Sequence, residues 1–506
     1  MLSRRKFLVE SAAFAAGTGL AHAFDRSDET IFVKAACGTL RGARRDGVRI
    51  FRGVPFAQPP TGALRFRPPE AVRPWSGERD ATHFAAAAMQ PGSSNLPQSE
   101  DCLYLNIWAP ERAQSLPVFV WIHGGGFTGG YSFDPLFDGS EFARDGVVCV
   151  TIAYRLGVFG FLDMSPLLGE SYAGSANLAV MDVMEALRWV QANIVSFGGD
   201  PKRVTVGGES AGAKITDLLM GVPGAEPLFQ QMISESGGAE RIWPLPRAQE
   251  VAHDFGRQWT KDGRELVTLQ NAPAREIIDA QVAFVEESTV HFPLRTEIDG
   301  SLIKRSPLET IRSGSTRRKR LLLGTNLDES AFFLGPDPKA DPTSRDLGNL
   351  TVEQFRTIEE RYPQLYPAMT DEMRRIRSVT AEEYWIPSLR VAEAHVEGGG
   401  TAFVYRLDYT ERRGQFAGLA FHSEDLRFVW DHLPSTATDE DRQFARTMHE
   451  VWVSFLKGQA PQAAGLPMWP DYSKKRRPTM VLDRTSHVED APHAEEFAAW
   501  DGLLTM

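Results

Sequence analysis

Residues 197–212 read Phe-Gly-Gly-Asp-Pro-Lys-Arg-Val-Thr-Val-Gly-Gly-Glu-Ser-Ala-Gly. The β-branched stretch Val204–Val206 predicts a strand that runs into a Gly-x-Ser-x-Gly turn, and this turn opens a helix. Glycines at 208 and 212 allow a sharp strand-to-helix turn without side-chain clashes, so that the Ser210 hydroxyl stands exposed at the carboxyl edge of a sheet. The segment predicts that Ser210 is a nucleophile.

A bare Gly-x-Ser-x-Gly occurs in ordinary loops, but a second motif upstream favours the catalytic interpretation. His123-Gly124-Gly125-Gly126-Phe127 directly follows a predicted apolar strand, Val118–Ile122. Three consecutive glycines are costly to order, and a flexible turn is the alternative to a close backbone approach. We expect the amides of Gly125 and Gly126, with the amide of Ala211, to form an oxyanion hole.

A serine hydroxyl needs a general base, and the base needs an acid that orients it. In folds with this strand-turn-helix nucleophile the chain order is serine, acid, histidine. An acid-rich turn follows the predicted strand Leu321–Leu323, and its acid is either Asp328 or Glu329. Six histidines lie beyond it: His395, His422, His432, His449, His487 and His493. The order rule alone therefore leaves the base undetermined.

Further motifs resemble those of the type-B carboxylesterase family. Residues 197–212 resemble its nucleophile signature, and Glu100-Asp101-Cys102-Leu103-Tyr104-Leu105-Asn106-Ile107-Trp108 resembles its second signature. Other familial stretches are Arg52–Pro60, Tyr154–Leu162 and Trp469–Tyr472. The resemblance covers nearly the whole chain, and several ordered motifs are far more specific than any one of them. It implies a carboxylic ester hydrolase that acts on a small-molecule ester and needs no cofactor or metal.

The resemblance also selects the site residues that spacing leaves open. It implies a triad of Ser210, Glu329 and His422, because the family's acid is the glutamate of an Asn-x-Asp-Glu turn and its base begins the segment that matches His422. It implies that Glu209 and Ser236 support the triad without reacting. A non-catalytic binding protein of neuroligin type is the alternative, since fold alone does not imply activity.

The implied fold is the α/β-hydrolase fold, a large mixed and mostly parallel sheet flanked by helices. We expect a single domain over residues 24–506, because no linker or low-complexity tract divides the chain. Helical insertions over the active site are expected to include residues 240–295 and 335–390. Four aromatic side chains are candidates for the pocket, with core packing as the alternative: Trp243, Phe292, Phe332 and Phe333.

Several positions depart from the family pattern. Ser330 stands where a glycine usually follows the acid, and it would restrict the turn only if the turn required positive φ. Cys102 has no partner in the stretch that usually supplies one, so we expect it to be free and buried, like Cys37 and Cys149. The loop Ala88–Cys102 is short and has no tryptophan, which disfavours a cholinesterase.

The amino terminus resembles an export signal. Ser3-Arg4-Arg5-Lys6-Phe7-Leu8 has the twin-arginine form, and an apolar stretch and the small-residue site Ala21-His22-Ala23 follow. We therefore predict a signal peptide over residues 1–23, recognition by the twin-arginine export machinery, and a periplasmic or secreted protein. Because that route carries folded protein, folding would finish in the reducing cytosol, where a disulfide could not form.

Charge and hydropathy exclude other classes of protein. The 506-residue chain has a formal net charge of −11, which argues against nucleic-acid binding. The basic clusters 317–320 and 474–477 are expected on solvated turns. No run outside the predicted signal approaches the roughly 20 apolar residues that span a bilayer.

Overall fold

The computed structural model describes residues 28–92, 96–410 and 412–503. The predicted signal peptide, residues 1–23, therefore lies outside the described residues. Within them, no helix is long and apolar enough to cross a membrane.

One large mixed sheet organises the described chain. Its strands are β1 (Glu29–Ala35), β2 (Gly38–Arg45), β3 (Val48–Pro55), β4 (Glu78–Asp80), β7 (Tyr104–Pro110), β8 (Leu116–Ile122), β9 (Val148–Ile152), β10 (Gly199–Glu209), β11 (Gln231–Glu235), β14 (Arg320–Asn326), β15 (Thr401–Leu407), β16 (Pro478–Leu482) and β17 (His487–Asp490). Two small pairs lie apart from it, β5 (Ala87–Ala88) with β6 (Gln98–Ser99) and β12 (Ile242–Pro244) with β13 (Thr296–Ile298). The order of the main sheet is β1-β2-β3-β7-β9-β8-β10-β11-β14-β15-β16-β17, with β4 beside β2.

The seven strands from β9 to β16 in that order are mutually parallel, and antiparallel strands flank them at both ends. Such parallel strands are buried on both faces and so read as continuous apolar runs. In β8, Val118, Val120 and Ile122 pack into one hydrophobic cluster, whereas Phe119 and Trp121 pack into the cluster on the opposite face. The expected large, mostly parallel sheet is confirmed.

Helices cover both faces of the sheet. The longer helices are Leu178–Asn193, Ala211–Leu219, Leu245–Thr260, Ala274–Glu287, Val352–Glu359, Asp371–Thr380, Ile386–Glu397 and Asp439–Leu456. The shorter ones are Ser140–Arg144, Val158–Phe161, Ser165–Leu168, Pro307–Arg312, Ala331–Leu334, Tyr362–Leu365, Leu426–Val429 and Ala494–Ala499.

The helix Asp439–Leu456 shows why these segments are helical. Thr438 and Asp441 form a capping box at its start, which satisfies two backbone N–H groups that would otherwise lack partners. Phe444, Met448 and Phe455 recur at helical spacing and pack onto the sheet. Local capping and an apolar stripe thus specify the same element.

The insertions lie between strands of the parallel core. Helices Leu245–Thr260 and Ala274–Glu287 fall between β11 and β14, and five helices from Ala331 to Glu397 fall between β14 and β15. The residues of the sequence-predicted site follow the carboxyl ends of β8, β10, β11, β14 and β15, except Glu209, which is the last residue of β10. Because parallel strands end at the same edge, this edge is where a ligand site is expected.

Candidate active site

Ser210 occupies a strained turn between β10 and the helix Ala211–Leu219. Its φ is 54° and its ψ is −119°, a conformation that non-glycine residues rarely adopt. A Cβ atom at position 208 or 212 would lie 2.5 Å or 2.0 Å from the carbonyl oxygen of Ile122. Both glycines are therefore required by the close approach of β8, as the sequence predicts for a sharp turn.

The glycine run passes directly beside Ser210. A Cβ at Gly124 would lie 3.1 Å from the Cβ of Ser210. Gly125 and Gly126 have φ values of 114° and 61°, which favour glycine. Within the described chain, the amides of Gly125, Gly126 and Ala211 donate no hydrogen bond. Unpaired amides next to a nucleophile can bind a negative oxygen.

His123, the residue before the glycines, is not suited to act as the base. Burial lowers its pKa to about 4, and its Nδ1–H donates to the Gly124 carbonyl at 2.8 Å. The Tyr154 hydroxyl donates to the His123 carbonyl at 2.7 Å. These contacts hold the start of the glycine run in place.

His422 contacts Glu329. The distance between His422 Nδ1 and Glu329 Oε2 is 2.5 Å, and both side chains are buried. Glu329 Oε1 accepts a hydrogen bond from the backbone N–H of Asn326 at 2.7 Å and another from the Ser236 hydroxyl. Asp328, the other acid of the turn, instead accepts from the Ala420 amide. Of the two acids, the structure brings Glu329 to the histidine.

Three of the other candidate histidines are hydrogen-bonded elsewhere. His395 contacts Thr316, His449 contacts the Val429 carbonyl, and His493 contacts the Tyr366 hydroxyl. His487 lies on the edge strand β17 and is exposed. In the described part of the chain none of the five others, His432 included, contacts Asp328 or Glu329, so His422 is the candidate that pairs with an acid of the predicted turn.

The second nitrogen of His422 faces Glu209. Nε2 lies 3.1 Å from Glu209 Oε1, whereas the Ser210 hydroxyl makes no side-chain hydrogen bond within the described residues. Burial lowers the pKa of His422, but the carboxylates of Glu209 and Glu329 outweigh burial and leave the pKa above its ordinary value. Burial raises the pKa of Glu209 to about 7. Catalytic hydrogen bonds often tighten only when substrate binds, and a serine-histidine contact is expected to form at that stage.

Aromatic rings surround the histidine. The ring centroids of Tyr384 and Phe333 lie 4.8 Å and 5.2 Å from that of His422, and Phe332 lies at 6.2 Å. Phe292 packs on the glycine run, since a Cβ at Gly126 would lie 2.5 Å from its Cε1 atom. Three of the four predicted pocket aromatics are therefore at the site.

The fourth, Trp243, packs one layer farther away. Its Nε1–H donates to the Pro293 carbonyl at 2.9 Å, and its ring lies 4.0 Å from the Arg295 guanidinium carbon. It supports the segment after Phe292 and makes no described contact with the triad residues. For Trp243, the structure therefore favours core packing, the alternative to a pocket role in the sequence analysis.

Sequence reasoning missed Tyr384 and Ser423. Tyr384 lies in a single π-helical turn, Ala381–Trp385, whose position no sequence pattern indicates. The Ser423 hydroxyl donates to Glu209 Oε1 at 2.6 Å. Its position directly after the candidate base was the one available signal.

The departures from the family pattern are accommodated. Ser330 has a φ of −72°, so the turn after Glu329 does not need a glycine. Cys37, Cys102 and Cys149 are free and buried, as expected. No group of three or more metal-ligating side chains was found among the described residues.

Comparison with known proteins gives a consistent result. A model described as "Carboxylesterase family" matches residues 29–500. The para-nitrobenzyl esterase of Bacillus subtilis is 34% identical over 481 residues, covering 91% of this chain and 96% of that protein. The fumonisin B1 esterase of Sphingopyxis macrogoltabida is 32% identical, covering 90% and 87%. A solved PNB esterase superposes with a TM-score of 0.83 at 33% identity, covering 92% of this chain and 99% of the other.

Proposed function

The chain belongs to the carboxylesterase family and is a carboxylic ester hydrolase; on that premise we propose that Ser210, His422 and Glu329 carry out the reaction through an acyl-serine intermediate. The observation that supports this most directly is the 2.5 Å contact between His422 Nδ1 and Glu329 Oε2 beside the strained turn of Ser210. Residues far apart in the chain supply a nucleophile, a base and an acid at one edge of the sheet.

In the first half of the reaction, Ser210 Oγ attacks the ester carbonyl while His422 Nε2 takes the hydroxyl proton. The amides of Gly125, Gly126 and Ala211 stabilise the negative oxygen of the tetrahedral intermediate. Each such donor is typically worth about 10²–10³ in rate. The intermediate then collapses, and the carbon–oxygen bond to the alcohol breaks as His422 returns its proton to the leaving oxygen.

In the second half, water attacks the acyl-serine carbonyl and His422 takes a proton from the water. The bond between the acyl carbon and Ser210 Oγ then breaks, His422 passes its proton to Oγ, and the carboxylic acid leaves. Glu329 keeps Nδ1 protonated, so that Nε2 carries the lone pair, and it stabilises the imidazolium. Ser236 and the Asn326 amide hold the other oxygen of Glu329 and fix its orientation.

Glu209 is a second carboxylate that acts electrostatically on His422. Its carboxylate lies 3.1 Å from Nε2 and favours the imidazolium that forms during proton transfer. The same contact must loosen for Nε2 to reach Ser210 Oγ. Glu209 is therefore a positioning residue that stabilises the intermediate and competes with the nucleophile before substrate binds.

Initial rates on p-nitrophenyl esters from acetate to palmitate would test the proposal, with Ser210→Ala as the blank. We expect turnover to depend on Ser210, and a serine-directed fluorophosphonate to label the wild type but not the variant. Circular dichroism of the variant controls for folding. Normal turnover by Ser210→Ala would reject the triad.

The comparisons do not support the alternative of a non-catalytic binding protein, since the similar proteins are named as esterases. The chain-length series measures which acyl group the site prefers. A peak at short chains indicates a confined acyl pocket, and a peak at long chains indicates a lipase.

Export by the twin-arginine route is a separate proposal that rests on Arg4 and Arg5. Replacing both by lysine should retain esterase activity in the cytoplasmic fraction, while the wild type delivers it to the periplasm or medium. An unchanged distribution would reject the signal.

A further inference from the structure

Ser423 combines an unfavourable backbone conformation with a contact to the active site. Its φ is 67°, in the left-handed region that favours glycine. Its hydroxyl donates to Glu209 Oε1 at 2.6 Å, and the same oxygen lies 3.1 Å from His422 Nε2. A residue type that this backbone disfavours thus places a hydrogen-bond donor on the carboxylate that faces the base.

We propose that Ser423 is a positioning residue that sets the pH above which His422 can act as a base, through its hydrogen bond to Glu209. The inference rests on the proposed role of His422. Ser423 itself does not contact the reacting atoms, because its hydroxyl is directed to the carboxylate.

Glu209 and His422 share one last proton, and its position decides whether His422 can act as a base. A proton in the 3.1 Å space between Oε1 and Nε2 occupies the Nε2 lone pair, whichever of the two atoms carries it. Ser210 can then not transfer its own proton to Nε2. Catalysis therefore requires the pair to be free of this proton.

The Ser423 hydroxyl favours the proton-free pair. A hydrogen bond to a carboxylate is strongest when the negative charge is not shared with a proton or an imidazolium. That condition holds when Glu209 is ionised and His422 is neutral. The bond lowers the pKa of Glu209 against the larger, raising effect of burial. Without the hydroxyl, the pair should keep its last proton to a higher pH.

Other ionisable groups surround the pair but are common to every variant. They are Glu329, Asp425, Glu235, Tyr154 and Tyr384. Glu329 and Asp425 raise the pKa of both members of the pair. Burial raises the pKa of the two tyrosines and of Glu235, so the tyrosines stay neutral at neutral pH. A shift between variants therefore reports the Ser423 hydroxyl.

The test compares Ser423→Ala with Ser423→Gly. Both remove the hydroxyl, but alanine keeps the left-handed strain whereas glycine relieves it. Ser115 provides matched controls, Ser115→Ala and Ser115→Gly, because it is exposed and has a φ of 52°. The dependence of kcat/KM on pH would be measured on a short p-nitrophenyl ester, and Tm by differential scanning calorimetry.

On the acid side of the pH profile, which we call the acid limb, kcat/KM falls as the pH drops. We expect the midpoint of this limb to move up by about one pH unit in both Ser423 variants. Relative to its plateau above the midpoint, kcat/KM at lower pH would then be roughly tenfold smaller than in the wild type. The Tm should differ between the alanine and glycine variants, and the Ser115 controls should not shift the limb. An unmoved limb in both Ser423 variants would overturn the proposal. A shift in the alanine variant alone would indicate misfolding and also overturn it.

Titration of the His422 ring by NMR gives a readout that does not need turnover. Its signal is identified by its absence in His422→Gln, and the Ser423 variants should titrate at higher pH than the wild type. If the wild type shows no Ser210-dependent hydrolysis, the proposed function fails, and the titration still decides the role of Ser423. If hydrolysis depends on Ser210 but neither readout shifts, only the inference fails.

Discussion

Replacing Glu329 by glutamine tests how the acid acts on the base. Glutamine keeps an oxygen that can accept from the Asn326 amide and the Ser236 hydroxyl, so the turn should persist. Its amide nitrogen would then face His422 Nδ1, which is 2.5 Å from Glu329 Oε2 in the wild type. Nδ1 would have to accept a hydrogen bond, and the proton would move to Nε2. The neutral histidine would thus carry its proton on the atom that must receive the one from Ser210.

The magnitude follows from charge and tautomer together. Two opposite charges about 4 Å apart, roughly the separation of the carboxylate and imidazolium centres, interact by about 4 kcal/mol at an effective dielectric constant of about 20. Loss of that energy from the transition state corresponds to roughly a 10³-fold lower rate. The wrong tautomer adds to this, so we expect kcat to fall by about 10³–10⁴.

Steady-state kinetics on p-nitrophenyl acetate would measure the effect, with Asp328→Asn as the matched control. Asp328 is the neighbouring acid, and it is bonded to the Ala420 amide rather than to His422. We expect the control to retain kcat within about threefold, because it leaves the charge beside the base intact. A loss below tenfold in Glu329→Gln, or a larger loss in the control, would refute the reasoning.

Three further predictions follow from the geometry. Gly125→Ala should lower kcat by at least about 10²-fold. The alanine Cβ would lie 2.2 Å from the Gly129 carbonyl oxygen and would displace the unpaired Gly125 amide. An unchanged kcat would show that this amide does not belong to the oxyanion hole. The pKa of His422 is raised above 6.5, and its neutral form is the base. The kcat/KM of the wild type should therefore fall as the pH drops through a midpoint above 6.5. A midpoint below 6.5 would contradict the direction of this pKa shift. Arg377→Met should reduce the free energy of unfolding, measured in urea, by about 3–5 kcal/mol, because it leaves the buried Glu496 carboxylate without its ionic partner. The exposed pair of Arg257 and Asp254 provides a control, and Arg257→Met should reduce the free energy of unfolding by less than about 0.5 kcal/mol.

Local sequence patterns predicted the elements that carry Ser210, the proposed nucleophile. The apolar run Val118–Ile122 and the β-branched run Val204–Val206 lie within buried parallel strands, and glycines follow both. The turn is partly local, because a Cβ at position 208 would lie 2.6 Å from the carbonyl carbon of Gly212, four residues farther along, so residue order reveals it. The antiparallel amino-terminal strands Glu29–Ala35 and Gly38–Arg45 were not predicted, since their pairing depends on register across a turn.

Spacing narrowed the candidates for the proposed acid and base but did not select among them. Two acids and six histidines satisfied the chain order, and resemblance to a family chose Glu329 and His422 among them. The structure brings this pair into contact, although the two residues are 93 positions apart. Tyr384, which packs on the same histidine from an insertion helix, had no sequence signal at all.

The sequence by itself determined the turn of the proposed nucleophile and the glycine run, because both follow from glycine sterics beside apolar strands that must be buried, and its resemblance to a family implied the class of fold. The tertiary structure decided which charges meet. Glu209 is 213 residues from His422 in the chain. The end of β10 and the segment after β15 nevertheless place its carboxylate 3.1 Å from His422 Nε2. Such a contact depends on where long insertions return to the sheet, and no local pattern encodes that distance. The electrostatic environment of the base, including the hydroxyl of Ser423, is therefore a property of the folded chain alone.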